Sequence, residues 1–159
     1  MQVGVDAYAS VQEVTTYLSA RGASTAWAAA TTQAKEAAII EATSFLDVSF
    51  KWKGAIADIT QTLGWPRDCV WDREGRLLED IPTIIKNATA ELANLALGGR
   101  LQPMELVSSG GAVKSERIGD VQVDYDLTQV SAQYDYLRTM LRGIGGMSTT
   151  TGMAKLVRT

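Results

Sequence analysis

Between Thr25 and Phe50 the residues that recur at helical spacing are Trp27, Ala30, Ala34, Ala38, Ala42 and Phe45, so this segment offers its neighbour a face made mostly of alanine. A face that small lets a second helix pack close, which points to an architecture of helix against helix. We predict one helix here, starting after Ser24 or Thr25 and running to about Phe50.

Three more segments carry the same period. Val11, Val14 and Leu18 precede Gly22, a helix stop. Ile84, Ile85, Ala88, Leu92, Leu95 and Ala96 follow Asp80 and Pro82, an acidic cap candidate and an early proline, and lead to Gly98-Gly99. Val130, Tyr134, Leu137 and Leu141 mark a short last helix.

Elsewhere the period is lost. From Lys51 to Asp80, Pro66, several glycines and the turn Asp72-Arg73-Glu74-Gly75 separate short pieces such as Cys69-Val70-Trp71 and Arg76-Leu77-Leu78, a long but structured connection. Residues 113–125 form two runs of strand formers around Gly119-Asp120, a two-residue hairpin signal. In that register Ile118 faces Val121, Glu116 faces Val123 and Lys114 faces Tyr125, with Arg117 and Gln122 sharing the other side. Neither side is apolar enough for a core sheet, and an isolated hairpin is marginal, so support from another chain is expected. The last stretch, GIGGMSTTTGMAKLVRT, reads as a flexible tail.

The expected fold is therefore mainly α: a small helical bundle with a projecting β-hairpin and an extended C-terminal arm. Residues 1–142 make the domain, with the hairpin at about 113–125, and 143–159 make the arm. A chain of 159 residues fits one such domain. The N-terminus lacks a secretory signal, and no run is long and apolar enough for a membrane span, so no membrane association is expected.

Chemistry is narrowed by what is missing. There is no histidine and one cysteine, Cys69, which excludes an internal disulfide, a histidine-based nucleophilic dyad and an ordinary zinc site. Glu36/Glu41, Glu79/Asp80 and Asp124/Asp126 read as solvated or capping carboxylates, and Cys69 as a small apolar residue without a base to activate it. Gly143-Ile144-Gly145-Gly146 lacks the Lys-Ser/Thr of a phosphate loop and reads as a hinge. Neither an enzyme nor a cofactor is expected.

The net charge of −3 gives no general attraction to a polyanion, so nucleic-acid affinity would need a local patch. Trp52, Trp65, Arg67, Trp71 and Arg73 are candidates for binding single-stranded DNA by stacking and phosphate contact. Across this stretch Lys51, Lys53, Arg67, Arg73 and Arg76 are nearly offset by Asp58, Asp68, Asp72 and Glu74. The favoured reading is therefore tryptophans covering the open end of a helical bundle, with Arg67 paired to a nearby carboxylate, and single-strand binding is the alternative for these residues. From Tyr136 onward Arg138, Arg142, Lys155 and Arg158 stand with no acid, suiting a basic arm.

The ordered blocks YLSARG (17–22), KEAAIIEATSFLD (35–47), WKG (52–54), LGWPRDCVWDREG (63–75) and GGAVKSERIGDVQVDY (110–125) resemble a family of tailed-phage and prophage proteins labelled DnaT-like single-stranded-DNA-binding proteins. The resemblance covers about residues 8 to 125. In layout the chain is also similar to phage head-tail connectors, and that likeness is weighed more heavily here. It implies a structural, DNA-channelling ring, a dodecamer between portal and stopper or tail terminator in the virion neck, made in the host cytoplasm. DNA would pass through its lumen without specific binding. On this reading Arg142, Ile144, Met147, Met153, Lys155, Leu156 and Arg158 would dock on the portal. Lys114, Glu116, Arg117, Ile118, Val121, Val123 and Tyr125 would form the hairpin interface. Single-stranded-DNA binding is the alternative function.

Overall fold

The computed structural model describes residues 1–22, 25–99, 101, 115–118, 121–124 and 127–147, with side chains for 1–22, 25–99, 101 and 134–146. Among them the fold is mainly α, built on α1 (Val11–Ala20), α2 (Thr25–Ala29), α3 (Thr32–Ser49), α4 (Thr83–Ala96) and α5 (Leu127–Leu141). Short antiparallel strand pairs complete it.

Side chains cap the starts of α1 and α3. At α1 the Ser10 hydroxyl accepts from the Glu13 N–H, while the Glu13 carboxylate accepts from the Ser10 N–H, a reciprocal capping box. The single helix expected from residue 25 to 50 is in fact two. Thr31 leaves helical geometry at ψ 158° and its hydroxyl accepts from the Ala34 N–H, so it ends one helix and caps the next. At α4, Asp80 is not the cap: it sits at φ 52°, and Pro82 occupies the N-cap position instead.

Helices α3 and α4 share the largest helix–helix contact, and both bring small residues to it. Ala38 and Ala42 are buried on α3, and Ala88, Ala90 and Ala93 on α4, with Ile39, Leu46, Ile85 and Leu92 filling the space between layers. Of the predicted alanine stripe, Ala38 and Ala42 are buried, while Ala30 and Ala34 are only partly covered. On α1, Val14 and Leu18 face the same core, and its outer side is pinned to α4 by Lys86–Glu13 (2.6 Å), Arg21–Glu91 (3.2 Å) and Tyr17 Oη to Glu91 (2.9 Å). Partial burial raises the Glu13 pKa, but hydrogen bonds from Lys86 and Ser10 outweigh it and hold that carboxyl at about 2. Helix α5 closes the bundle with Tyr134, Leu137 and Leu141 buried. Tyr134 stacks on Phe45 of α3 with ring centroids 5.5 Å apart.

The strands are β1 (Phe50–Trp52), β2 (Ala55–Ile56), β3 (Arg67–Asp68), β4 (Ser115–Ile118), β5 (Val121–Asp124) and β6 (Gly145–Met147). Strands β4 and β5 form the expected hairpin in the expected register, with Ile118 opposite Val121 and Glu116 opposite Val123. Lys114 and Tyr125 lie outside the described residues. Strand β6 pairs antiparallel with β1, placing Phe50 opposite Met147 and Trp52 opposite Gly145.

This pairing corrects the start of the predicted arm. Ile144 is buried and its carbonyl accepts from the Lys53 N–H, so residues 143–147 belong to the bundle instead of leaving it. An apolar residue directly after the α5 stripe has core to fill, and Ile144 is that residue. Met153, Lys155, Leu156 and Arg158 lie outside the described residues.

Candidate nucleic-acid interface

The tryptophan stretch divides into an inner and an outer part. Trp65, following which the peptide bond to Pro66 is cis, has no exposed surface, and its Nε1 is buried without a hydrogen-bond partner. Packing alone holds it. Trp52 meets Trp65 edge-on at 6.1 Å between centroids and stacks on Phe50 at 5.5 Å. A Cβ at Gly64 would lie 2.8 Å from the Trp52 indole, and one at Gly145 also 2.8 Å from it. The two glycines therefore form the slot that holds this ring.

Asp47, at the end of α3, organises the same region. Its Oδ1 accepts from Trp52 Nε1 (3.0 Å) and from the Tyr8 hydroxyl, and its Oδ2 from the Gly64 N–H (3.0 Å). Burial foremost, and then this hydrogen bond and the charge of Asp47, push the Tyr8 phenol well above its ordinary range. Arg67 was expected on a carboxylate. It instead donates to three backbone carbonyls, from Nε to Lys53 (2.7 Å), from Nη1 to Gly64 (3.0 Å) and from Nη2 to Gly54 (2.8 Å). A planar fork suits carbonyls converging from two chain segments, and it stitches residues 53–54 to 64–68. Trp52, Trp65 and Arg67 are consequently architectural. Sequence reasoning did not single out Asp47, although an acid inside the apolar run Ser44-Phe45-Leu46-Asp47-Val48 was a usable signal.

The outer part is a small hairpin. The Leu78 N–H donates to the Val70 carbonyl (2.8 Å), the Asp72 N–H to that of Arg76 (2.9 Å), and Trp71 stands opposite Leu77. The Asp72 carboxylate ties its turn by accepting from the Glu74 and Arg76 N–H groups and from Arg76 Nε (2.7 Å). The Arg76 backbone N–H is the main lowering influence on its pKa. Arg76 is thereby matched, while Arg73, exposed, enters no ion pair among the described residues. Trp71 is 52% exposed. Cys69 is exposed at φ 58°, and Val70 is the residue that enters the core.

Arg73 reaches the end of α5, its Nε 3.9 Å from where a Cβ on Gly143 would sit. Lys53 Nζ donates to the Gly143 carbonyl at 2.8 Å. Asp135, Arg138 and Thr139 on α5, and Arg142 directly after its last residue, follow helical spacing on one outward side, away from the buried Tyr134, Leu137 and Leu141. With Phe50, Gly145 and Gly146 they line a cleft of about 600 Å³. Lys51 stands across the β1–β6 ladder from Gly146. Among the described residues Lys51, Lys53, Arg73, Arg138 and Arg142 enter no ion pair, and Asp135 is the only acid lining that cleft. The fold thus gathers cations that lie far apart in sequence.

A second groove, about 710 Å³, runs along the other flank of α5 and shares Thr139 with the first. Leu77, Leu78, Ile84, Tyr136 and Met140 contribute its apolar lining, with Arg73, Glu74 and Glu79 among the charged residues. Arg21 lies over the Tyr136 ring at 5.9 Å from its centroid. Among the described residues no three acids or cysteines are placed to hold a metal ion, and no helix is long and apolar enough to cross a membrane.

Fold and surface together describe a small helical-bundle protein with a cation-lined cleft beside an apolar groove. The chain belongs to the family described as "Putative DnaT-like ssDNA binding protein", which it matches over residues 1–159. No curated protein and no solved structure matches it. The family match overturns the likeness to head-tail connectors, and with it the description as a phage virion, neck or portal-vertex protein. The portal and tail partners and the dodecameric ring rested on that likeness and lose their basis. Arg142 and Ile144, assigned to a portal-docking arm, are part of the α5 end and of the core.

Proposed function

We propose that the protein binds single-stranded DNA without catalysing a reaction, and that the outward face of α5 holds the phosphates. Membership of the DnaT-like family over the whole chain carries this reading. The surface supports it: Arg138 in the last turn of α5 and Arg142 just past its end, with Lys51, Lys53 and Arg73 about them, supply an electrostatic track that a chain of net charge −3 offers only locally. Gly146, where an added Cβ would meet no atom within 4 Å, puts no side chain over the cleft, so a backbone phosphate can approach its peptide group. Trp71 and Arg73 are the two residues of the original tryptophan cluster still exposed to solvent, at the hairpin beside this track.

Titration of a labelled oligonucleotide at several salt concentrations tests the proposal. Contacts to three to five phosphates would give a log–log salt slope of about −2 to −3.5. Replacing Arg138 and Arg142 by alanine together should flatten that slope by about 1.4. Equal affinity for duplex and single strand, or no salt dependence, would reject it.

A further inference from the structure

We infer that the groove beside the phosphate track is a nucleobase subsite that favours bases carrying an exocyclic amine, cytosine or adenine, over thymine. This rests on the single-strand reading above and specifies it.

The two flanks of α5 differ in character. One is cationic, with Asp135 as the lone acid; the other is apolar, with Tyr136 45% exposed beside Met140 and Leu77. A single strand presents a matching pair of edges, anionic phosphates on one side and flat apolar bases on the other. Thr139 belongs to both linings, so a strand lying over the α5 ridge can place phosphates on Arg138 and Arg142 and turn a base into the groove. The groove is roomy enough for a base, and a half-exposed tyrosine is a stacking surface indifferent to base identity.

Selectivity comes from the rim. Glu74 and Glu79 both line the groove, and among the described residues neither carboxylate enters an ion pair. Their charge keeps phosphates out of the groove, which fixes which edge of the strand enters. It also sets acceptors where the edge of a bound base would lie. Cytosine N4 and adenine N6 donate to a carboxylate; thymine presents O4, another acceptor, in the same place. Arg73, on the same rim, can reach the phosphate next to the inserted base.

The test is anisotropy of the full chain with labelled dC and dT homopolymers of equal length, at slightly alkaline pH so that dC stays single-stranded. The wild-type protein should bind dC about fivefold more tightly than dT. Glu74→Ala/Glu79→Ala should bring that ratio to one while tightening dT binding, because a repulsion is removed with the acceptors; the two readouts move in opposite senses, which unfolding would not produce. Tyr136→Ala should weaken both polymers about tenfold. Arg138→Ala/Arg142→Ala should weaken both and leave the ratio unchanged. Salt-sensitive binding with a ratio of one, or a ratio unmoved by the glutamate changes, overturns the base subsite alone. Absence of binding to either polymer overturns the single-strand reading and the subsite with it.

Discussion

Arg67 and Arg142 are the same side chain with opposite uses, and the regions around them differ in the same way. Around Arg67, Trp52 and Trp65 interlock, and every guanidinium nitrogen donates to a carbonyl of its own loop. Around Arg142, among the described residues, the cations enter no ion pair, and Gly146 adds no side chain to the cleft they border. The stretch from Trp52 to Arg67 has the composition of a nucleic-acid platform, yet most of it forms the interior. The lesson is that interleaved tryptophan and arginine report a potential for stacking and donation. Whether bases and phosphates or indoles and peptide carbonyls answer it depends on what the fold brings alongside.

Substitutions should separate the two regions by which property they change. Trp65→Ala should have the largest effect, about 3 to 5 kcal/mol of stability in chemical denaturation, since it empties a fully buried site. A stable Trp65→Ala protein that had lost DNA affinity would break the distinction between regions. Arg67→Lys should cost about 2 kcal/mol, because an ammonium cannot reach three carbonyls in the planes the fork serves.

On the outer face the effect moves from stability to binding. Arg138→Ala/Arg142→Ala should change stability by no more than about 0.5 kcal/mol, the range for exposed positions. It should lower single-strand affinity about tenfold at low salt, measured by anisotropy. The smallest effect concerns pH. The depressed Glu13 pKa means its contacts stabilise the fold fully above the ordinary carboxylate value of about 4.3, and are lost as pH falls toward 2. Glu13 is partly exposed, so solvent screening limits this to about 1 kcal/mol or less. Glu13→Gln should flatten the acid limb of a stability–pH curve over that interval.

The helical framework was legible because burial at α1, α4 and α5 follows one period without interruption. The break at Thr31 was missed because alanines flank it on both sides, so the stripe hides a cap that its own hydroxyl makes. The Ser10-to-Glu13 capping box was readable and overlooked. The hairpin register followed from Gly119-Asp120 alone, since turn length fixes pairing. The candidate site was the least legible part. Its cations come from β1, from the hairpin after Val70 and from α5, and no local pattern shows that Arg73 and Lys53 converge on Gly143. Arg142 was singled out, but for an arm that does not begin there. Arg138 was noted only as charge.

The pairing of β1 with β6 also has a consequence for synthesis. The Lys53 contact to the Gly143 carbonyl joins residues 90 positions apart. At a translation rate of roughly 5–20 residues per second, β1 therefore waits on the order of ten seconds for its partner. During that interval an unpaired strand edge and the face of Trp52 that Gly145 later covers are open to other chains. The nascent protein is thus most prone to aggregation just before β6 emerges, and shielding by a chaperone would count most in that interval.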